Sequence, residues 1–166
     1  MLWICSGIMV IVMILISFFL GYEEGTFTQI SVQRKSMAKQ IRSQNFLKQS
    51  DIIKQENIPL ENYFMNRRLK RIAVYGLERY YFELIENFDT DKFETIYLGD
   101  RNKEDKQELL SQRVYTIDEL VKKSMDAVLV TSIAHYDEIQ REFKEKGMKC
   151  SIISYQDLVY NAKKEV

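Results

Sequence analysis

Six residues of this 166-residue chain pair ligand-holding chemistry with a suggestive spacing: Gly76 and Glu78, then Asp100, then Thr131, Ser132 and His135. Gly76 ends the apolar run Arg71-Ile72-Ala73-Val74-Tyr75 and opens into Leu77-Glu78-Arg79-Tyr80-Tyr81-Phe82. In a Gly-x-Gly-x-x-Gly turn the glycines let the backbone approach a pyrophosphate and let the following helix press against the strand. Only the first glycine stands here. Glu78 holds the second place and Tyr81 the third, so a carboxylate would face the phosphate and a large ring would crowd the helix. Asp100 lies 24 residues beyond Gly76, where a dinucleotide site carries the acid that bonds a ribose 2′-hydroxyl. The other use of such an aspartate is to turn the chain at Gly99-Asp100-Arg101-Asn102.

His135 is the single histidine, so any histidine-based catalysis or metal ligation rests on it alone. Ser132 precedes it by three and Asp137 follows by two, which puts all three on one local turn and not in the relation of nucleophile, base and orienter. A helix N-terminus capped by Ser132 or Thr131 accounts for the stretch more simply. Cys5 and Cys150 are the only cysteines, one in an apolar run and one at the start of an expected buried strand, which gives no zinc spacing and no disulfide framework and reads as two inert small hydrophobes. No catalytic set and no metal set is therefore expected. The consecutive aromatics Tyr80, Tyr81 and Phe82 share a helix with Leu84 and Ile85 and read as core or rim.

The three stretches converge only if the chain supplies a parallel sheet. Short apolar runs that alternate with helix-period segments predict one: strands at 71–75, 95–98, 114–116, 126–131 and 149–154, with helices at 78–87, 117–123, 136–146 and 156–164. Residues 102–112 are a loop or a surface helix, and Pro59 begins a short helix ahead of the first strand. Right-handed crossovers then give an α/β, Rossmann-like parallel sheet in the order 3-2-1-4-5. Ligands of such sheets sit beyond the carboxyl ends of the strands, at the switch point between strands one and four, where Gly76–Tyr80 and Thr131–Tyr136 meet.

Ahead of this domain, at 59–166, the sequence places a transmembrane helix at 2–22 and a juxtamembrane helical stalk at 23–58. Leu2–Tyr22 is uncharged over 21 residues, about 31 Å as a helix, which matches a bilayer core. No Lys or Arg precedes it and Arg34, Lys35 and Lys39 follow, so the N-terminus is expected outside and the domain in the cytoplasm, a single-pass protein of the cell membrane. The 24 basic and 24 acidic residues cancel, but residues 34–71 hold ten basic against three acidic, whereas 72–166 hold 14 against 19. The basic stalk suits an anionic leaflet. A mildly acidic domain argues against nucleic acid as a partner.

The runs Leu60-Glu61-Asn62-Tyr63-Phe64, Lys70–Gly76, Asp100-Arg101-Asn102, Asp126–Thr131, Phe143 and Ile152–Leu158 resemble small Rossmann-like domains found in bacterial capsule and surface-glycan gene sets. These are similar to the N-terminal domain of capsule-type nucleotide-sugar epimerases. Glu78 stands where members often keep a second glycine, and no epimerase Tyr-x-x-x-Lys carries over. The resemblance implies a binding or scaffolding module accessory to surface-polysaccharide assembly, in contact with the lipid bilayer and with a glycan-assembly protein or a second copy of the chain. The alternative is a nucleotide- or sugar-nucleotide-dependent enzyme related to epimerases or dehydratases. No cofactor is expected under the first reading; a nucleotide or NAD belongs to the second.

Overall fold

The computed structural model describes residues 33, 37, 41 and 44–164. The expected membrane span at 2–22 and half of the expected stalk at 23–58 lie outside them. Among the described residues, no helix is long and apolar enough to cross a membrane. A compact unit runs from Phe46 to Val166.

Five parallel strands form its sheet: β1 (Arg71–Tyr75), β2 (Thr95–Gly99), β3 (Val114–Tyr115), β4 (Ala127–Val130) and β5 (Ser151–Ser154), in the order β3-β2-β1-β4-β5. The expected order 3-2-1-4-5 holds, and each expected strand is present. The central strands are continuous apolar runs because both their faces are covered, and every residue of β4 is buried. Register aligns Tyr75 with Gly99 on one side and Val130 on the other, which brings the ends of three strands level.

Helical residues 46–55 (α1), α2 (Asn62–Met65), α3 (Arg79–Ile85) and α7 (Tyr155–Ala162) share the first face with Ile72 and Val74 of β1. Residues 102–112 form a helix, α4 (Lys103–Leu110), and Pro59 lies in the turn that precedes α2. The second face, with Ala73 and Tyr75, is covered by α5 (Ile117–Leu120) and α6 (Tyr136–Glu145). Phe46 and Ile53 of α1 are 3% and 4% exposed, so this stretch, assigned to the stalk by sequence, contributes to the core. Tyr81 is buried in the first face and Tyr80 packs edge-on against Phe46 at 5.5 Å, the core and rim roles expected of them.

Asp126 clamps the amino ends of the strands. It accepts the backbone N–H of Lys70 at 3.0 Å and of Arg71 at 2.8 Å, and meets the Arg71 guanidinium at 2.7 Å. That guanidinium, with the two N–H groups, holds the carboxyl below its ordinary range. The functional question lies at the other end.

Candidate functional site

The carboxyl ends of β1, β2 and β4 surround a cleft of about 250 Å³ lined by Tyr75, Gly76, Glu78, Asp100, Arg101, Asn102, Ser132, His135 and Ile139. Topology places it there: β2 and β4 leave β1 on opposite sides, so the connections that follow them part above the end of β1. Five of the six sequence candidates, Gly76, Glu78, Asp100, Ser132 and His135, line this one cleft. Thr131 lies beneath it, 1% exposed.

Gly76 has φ +97°, and a Cβ there would stand 3.0 Å from the Ser132 nitrogen and 3.1 Å from its Cβ. The glycine is required by the close approach of the β1 turn to the end of β4, with or without a ligand. Thr131 locks that approach. Its N–H donates to the Tyr75 carbonyl at 2.9 Å, and its hydroxyl serves the carbonyls of Tyr75, at 3.1 Å, and of Gly76. The capping role expected of Thr131 or Ser132 is not realised. The Thr131 hydroxyl is engaged with the β1 carbonyls, and Ser132, placed ahead of a 3-10 turn at Ile133–His135, makes no side-chain cap bond.

Asp100 decides how the turn works. Its Oδ2 accepts the N–H of Leu77 at 2.6 Å and its Oδ1 the N–H of Asn102 at 2.9 Å, with the residue 6% exposed. Leu77 is the first residue after Gly76, so an internal carboxylate already takes the turn amide that a phosphate oxygen would need. Of the two uses open to Asp100 in sequence, the geometry displays the turn-forming one.

Charge at the rim points the same way. Arg101 reaches across to Glu138 at 3.0 Å and Glu142 at 3.3 Å on α6, and the Arg101 hydrogen bond holds the Glu138 carboxyl below its usual range. His135 is exposed, its Nδ1 3.7 Å from the same Glu138. Among the described residues Glu78 pairs with no cation. The rim therefore carries more carboxylate than cation, the wrong sign for a pyrophosphate.

Four lining residues were not singled out from sequence: Tyr75, Arg101, Asn102 and Ile139. Arg101 and Asn102 sit in the turn that was recognised for Asp100. Tyr75 ends β1 on its second face, against Phe143 at 5.3 Å. Burial, with the Glu142 and Asp100 carboxylates nearby, pushes its phenol up to about 12, so at neutral pH it can donate a proton in a hydrogen bond but not serve as a base. Among the described residues, no group of three or more His, Cys, Asp or Glu side chains is arranged to hold a metal ion.

The family model described as C2185-like, N-terminal, matches residues 68–153, more than half of the chain. The chain belongs to the C2185-like N-terminal domain family. The matched stretch takes in β1 through Ile153 of β5 and every residue of the cleft, so the cleft is part of the family's domain and not an addition from the N-terminal segment. No curated protein and no solved structure matches the chain.

Proposed function

We propose that this chain is a binding or scaffolding module of the cell membrane, anchored once by residues 2–22 with its α/β domain on the cytoplasmic side, and that its cleft does not hold a dinucleotide. The observation that carries the second half is the hydrogen bond from the Leu77 N–H to Asp100 Oδ2 at 2.6 Å, which leaves the degraded glycine turn without its phosphate donor. Size agrees: about 250 Å³ falls below the ~300–1,000 Å³ usual for pockets that enclose drug-sized ligands. The anchor is supported by the uncharged run 2–22, and its orientation by the Lys/Arg that follow it and are missing before it. A role accessory to surface-polysaccharide assembly is supported by the resemblance of the domain's motifs to those of capsule and surface-glycan gene sets.

A second reading, a nucleotide- or sugar-nucleotide-dependent enzyme, has in its favour the position of the cleft at the switch point. Thermal melting of the full chain separates the two. A ligand at 100 times its dissociation constant stabilises by about 2.7 kcal/mol, roughly 10 °C for a domain of this size. NAD and a UDP-sugar, each up to millimolar concentration, are expected to leave the melting temperature unchanged. A rise with either one refutes the scaffold reading and installs the enzyme. Placement is tested apart from the cleft: protease added to intact cells should spare the domain, and digestion without permeabilisation would reverse the orientation.

A further inference from the structure

The cleft keeps hydrogen-bonding groups that the fold does not use. Tyr75 is 3% exposed, and among the described residues its hydroxyl has no hydrogen-bond partner. The oxygen is not sealed in protein, as Glu61 Oε2 is, so it opens into the cleft that Tyr75 lines. A buried hydroxyl left unpaired is costly, and a group that enters the cleft would complete it. Burial keeps this phenol protonated at neutral pH, so it donates as well as accepts. The Ser132 hydroxyl and the Asn102 amide line the same cleft, and neither caps the helical turn that follows it. Hydroxyl and amide groups donate and accept alike, which matches a ligand that carries several hydroxyls.

Charge in the cleft is uneven. Glu138 and Glu142 are answered by Arg101, and Glu142 also by Lys146 at 3.7 Å. His135 stands 3.7 Å from Glu138. Among the described residues Asp100 and Glu78 meet no cation. Asp100 directs its oxygens to backbone N–H groups, whereas Glu78 is exposed with its carboxylate free. That surplus calls for a positive charge. An organic cation fits it better than a metal ion, since no set of metal ligands is arranged among the described residues. A primary ammonium fits better than a quaternary one: Tyr75 is the one Phe, Tyr or Trp of the lining, and its ring packs on Phe143, so no aromatic cage is present.

We propose that the cleft receives a small amine bearing several hydroxyls, a single ring of amino-sugar size, with its ammonium beside Glu78 and a hydroxyl paired to Tyr75. The inference rests on the reading of the cleft as a binding site closed to dinucleotides.

The test is a ligand-observed NMR titration of the full chain at low salt, in a polyoxyethylene detergent that carries neither sugar nor ammonium. Glucosamine at about pH 6.5, where its amine is protonated, is expected to bind at least tenfold more tightly than glucose or N-acetylglucosamine. Glu78→Gln should weaken it at least tenfold and Tyr75→Phe at least fivefold. Neither variant should melt below wild type, because Glu78 is exposed and the Tyr75 hydroxyl has no partner to lose. The inference is overturned if glucosamine does not bind, if glucose binds as well, or if either variant binds glucosamine as wild type does. Tighter binding of Nα-acetyl-lysine amide would make a protein lysine the source of the ammonium and overturn it too. Failure with glucosamine while NAD and the UDP-sugar stay silent strikes this inference alone; binding of either nucleotide strikes the reading beneath it.

Discussion

Replacing Asp100 by Ala tests whether the residue is a part of the fold or a ligand residue that the fold tolerates. The substitution removes two acceptors and leaves the N–H groups of Leu77 and Asn102 without them; Leu77 is fully buried, so its N–H cannot turn to water instead. Hydrogen bonds to a charged group contribute roughly 1.5–3 kcal/mol each. Relief of the desolvation cost of the carboxylate offsets part of that, so a net loss of about 2–4 kcal/mol is expected. At roughly 4 °C per kcal/mol the melting temperature should fall by about 8–16 °C. Asp100→Asn keeps the shape and one acceptor but turns an NH₂ toward a backbone N–H, so it should cost at least half as much. Calorimetry or circular dichroism on both variants gives the answer. The sign is diagnostic, because removing a carboxylate kept for a ligand commonly leaves stability unchanged or raises it. An Ala variant that melts within a degree of wild type, or above it, would refute the reasoning.

Gly76→Ala should destabilise by about 1–3 kcal/mol in the same assay, because φ +97° disfavours a side chain and the new Cβ meets backbone at 3.0 Å. Acid should weaken the fold in a definite window. The Glu119 carboxyl is held down to about 2 by Lys103 and the Thr116 N–H, and Asp126 is lowered by Arg71. Both groups bind protons more tightly in the unfolded chain, so their contribution is full above the unfolded carboxylate range near roughly 4 and is lost as pH falls through the folded values. Glu119→Gln and Asp126→Asn should each flatten the fall in melting temperature between about pH 5 and 2. A chain begun at Phe46 should be more stable than one begun at Ile58 by roughly 3–6 kcal/mol, the worth of burying Phe46 and Ile53; equal urea midpoints would show that α1 is not part of the core.

The sheet was legible because its strands announce themselves. Arg71–Tyr75 and Ala127–Val130 are continuous apolar runs, as parallel strands covered on both faces must be, and the crossover rule then leaves one economical order. The place of α1 was not legible. Its apolar residues are scattered among Gln, Lys and Ser, and neighbouring positions divide: Leu47 is 44% exposed while Phe46 is 3% exposed. A sparse stripe on a helix carries no sign of which face meets a sheet, and only the surface formed by β1, α3 and α7 selects Phe46 and Ile53.

The location of the site was read from topology, but the employment of its residues could not be, for a reason that lies in strand ends. Where a parallel ladder stops, the last carbonyls and the first amides of the following turn lose their partners and must find others. A glycine-rich turn leaves those amides to a ligand. Here the chain supplies the partners itself: Thr131 takes the carbonyls of Tyr75 and Gly76, and Asp100 takes the amides of Leu77 and Asn102. Asp and Thr at these positions suit either duty, so residue type and spacing leave the choice open. The choice is made by where the carboxylate turns, and the Asp100 carboxylate turns back onto the β1 turn. With the Leu77 amide already satisfied by Asp100, Glu78 in the second glycine's place lines the cleft beside a turn whose first amide is bonded within the chain.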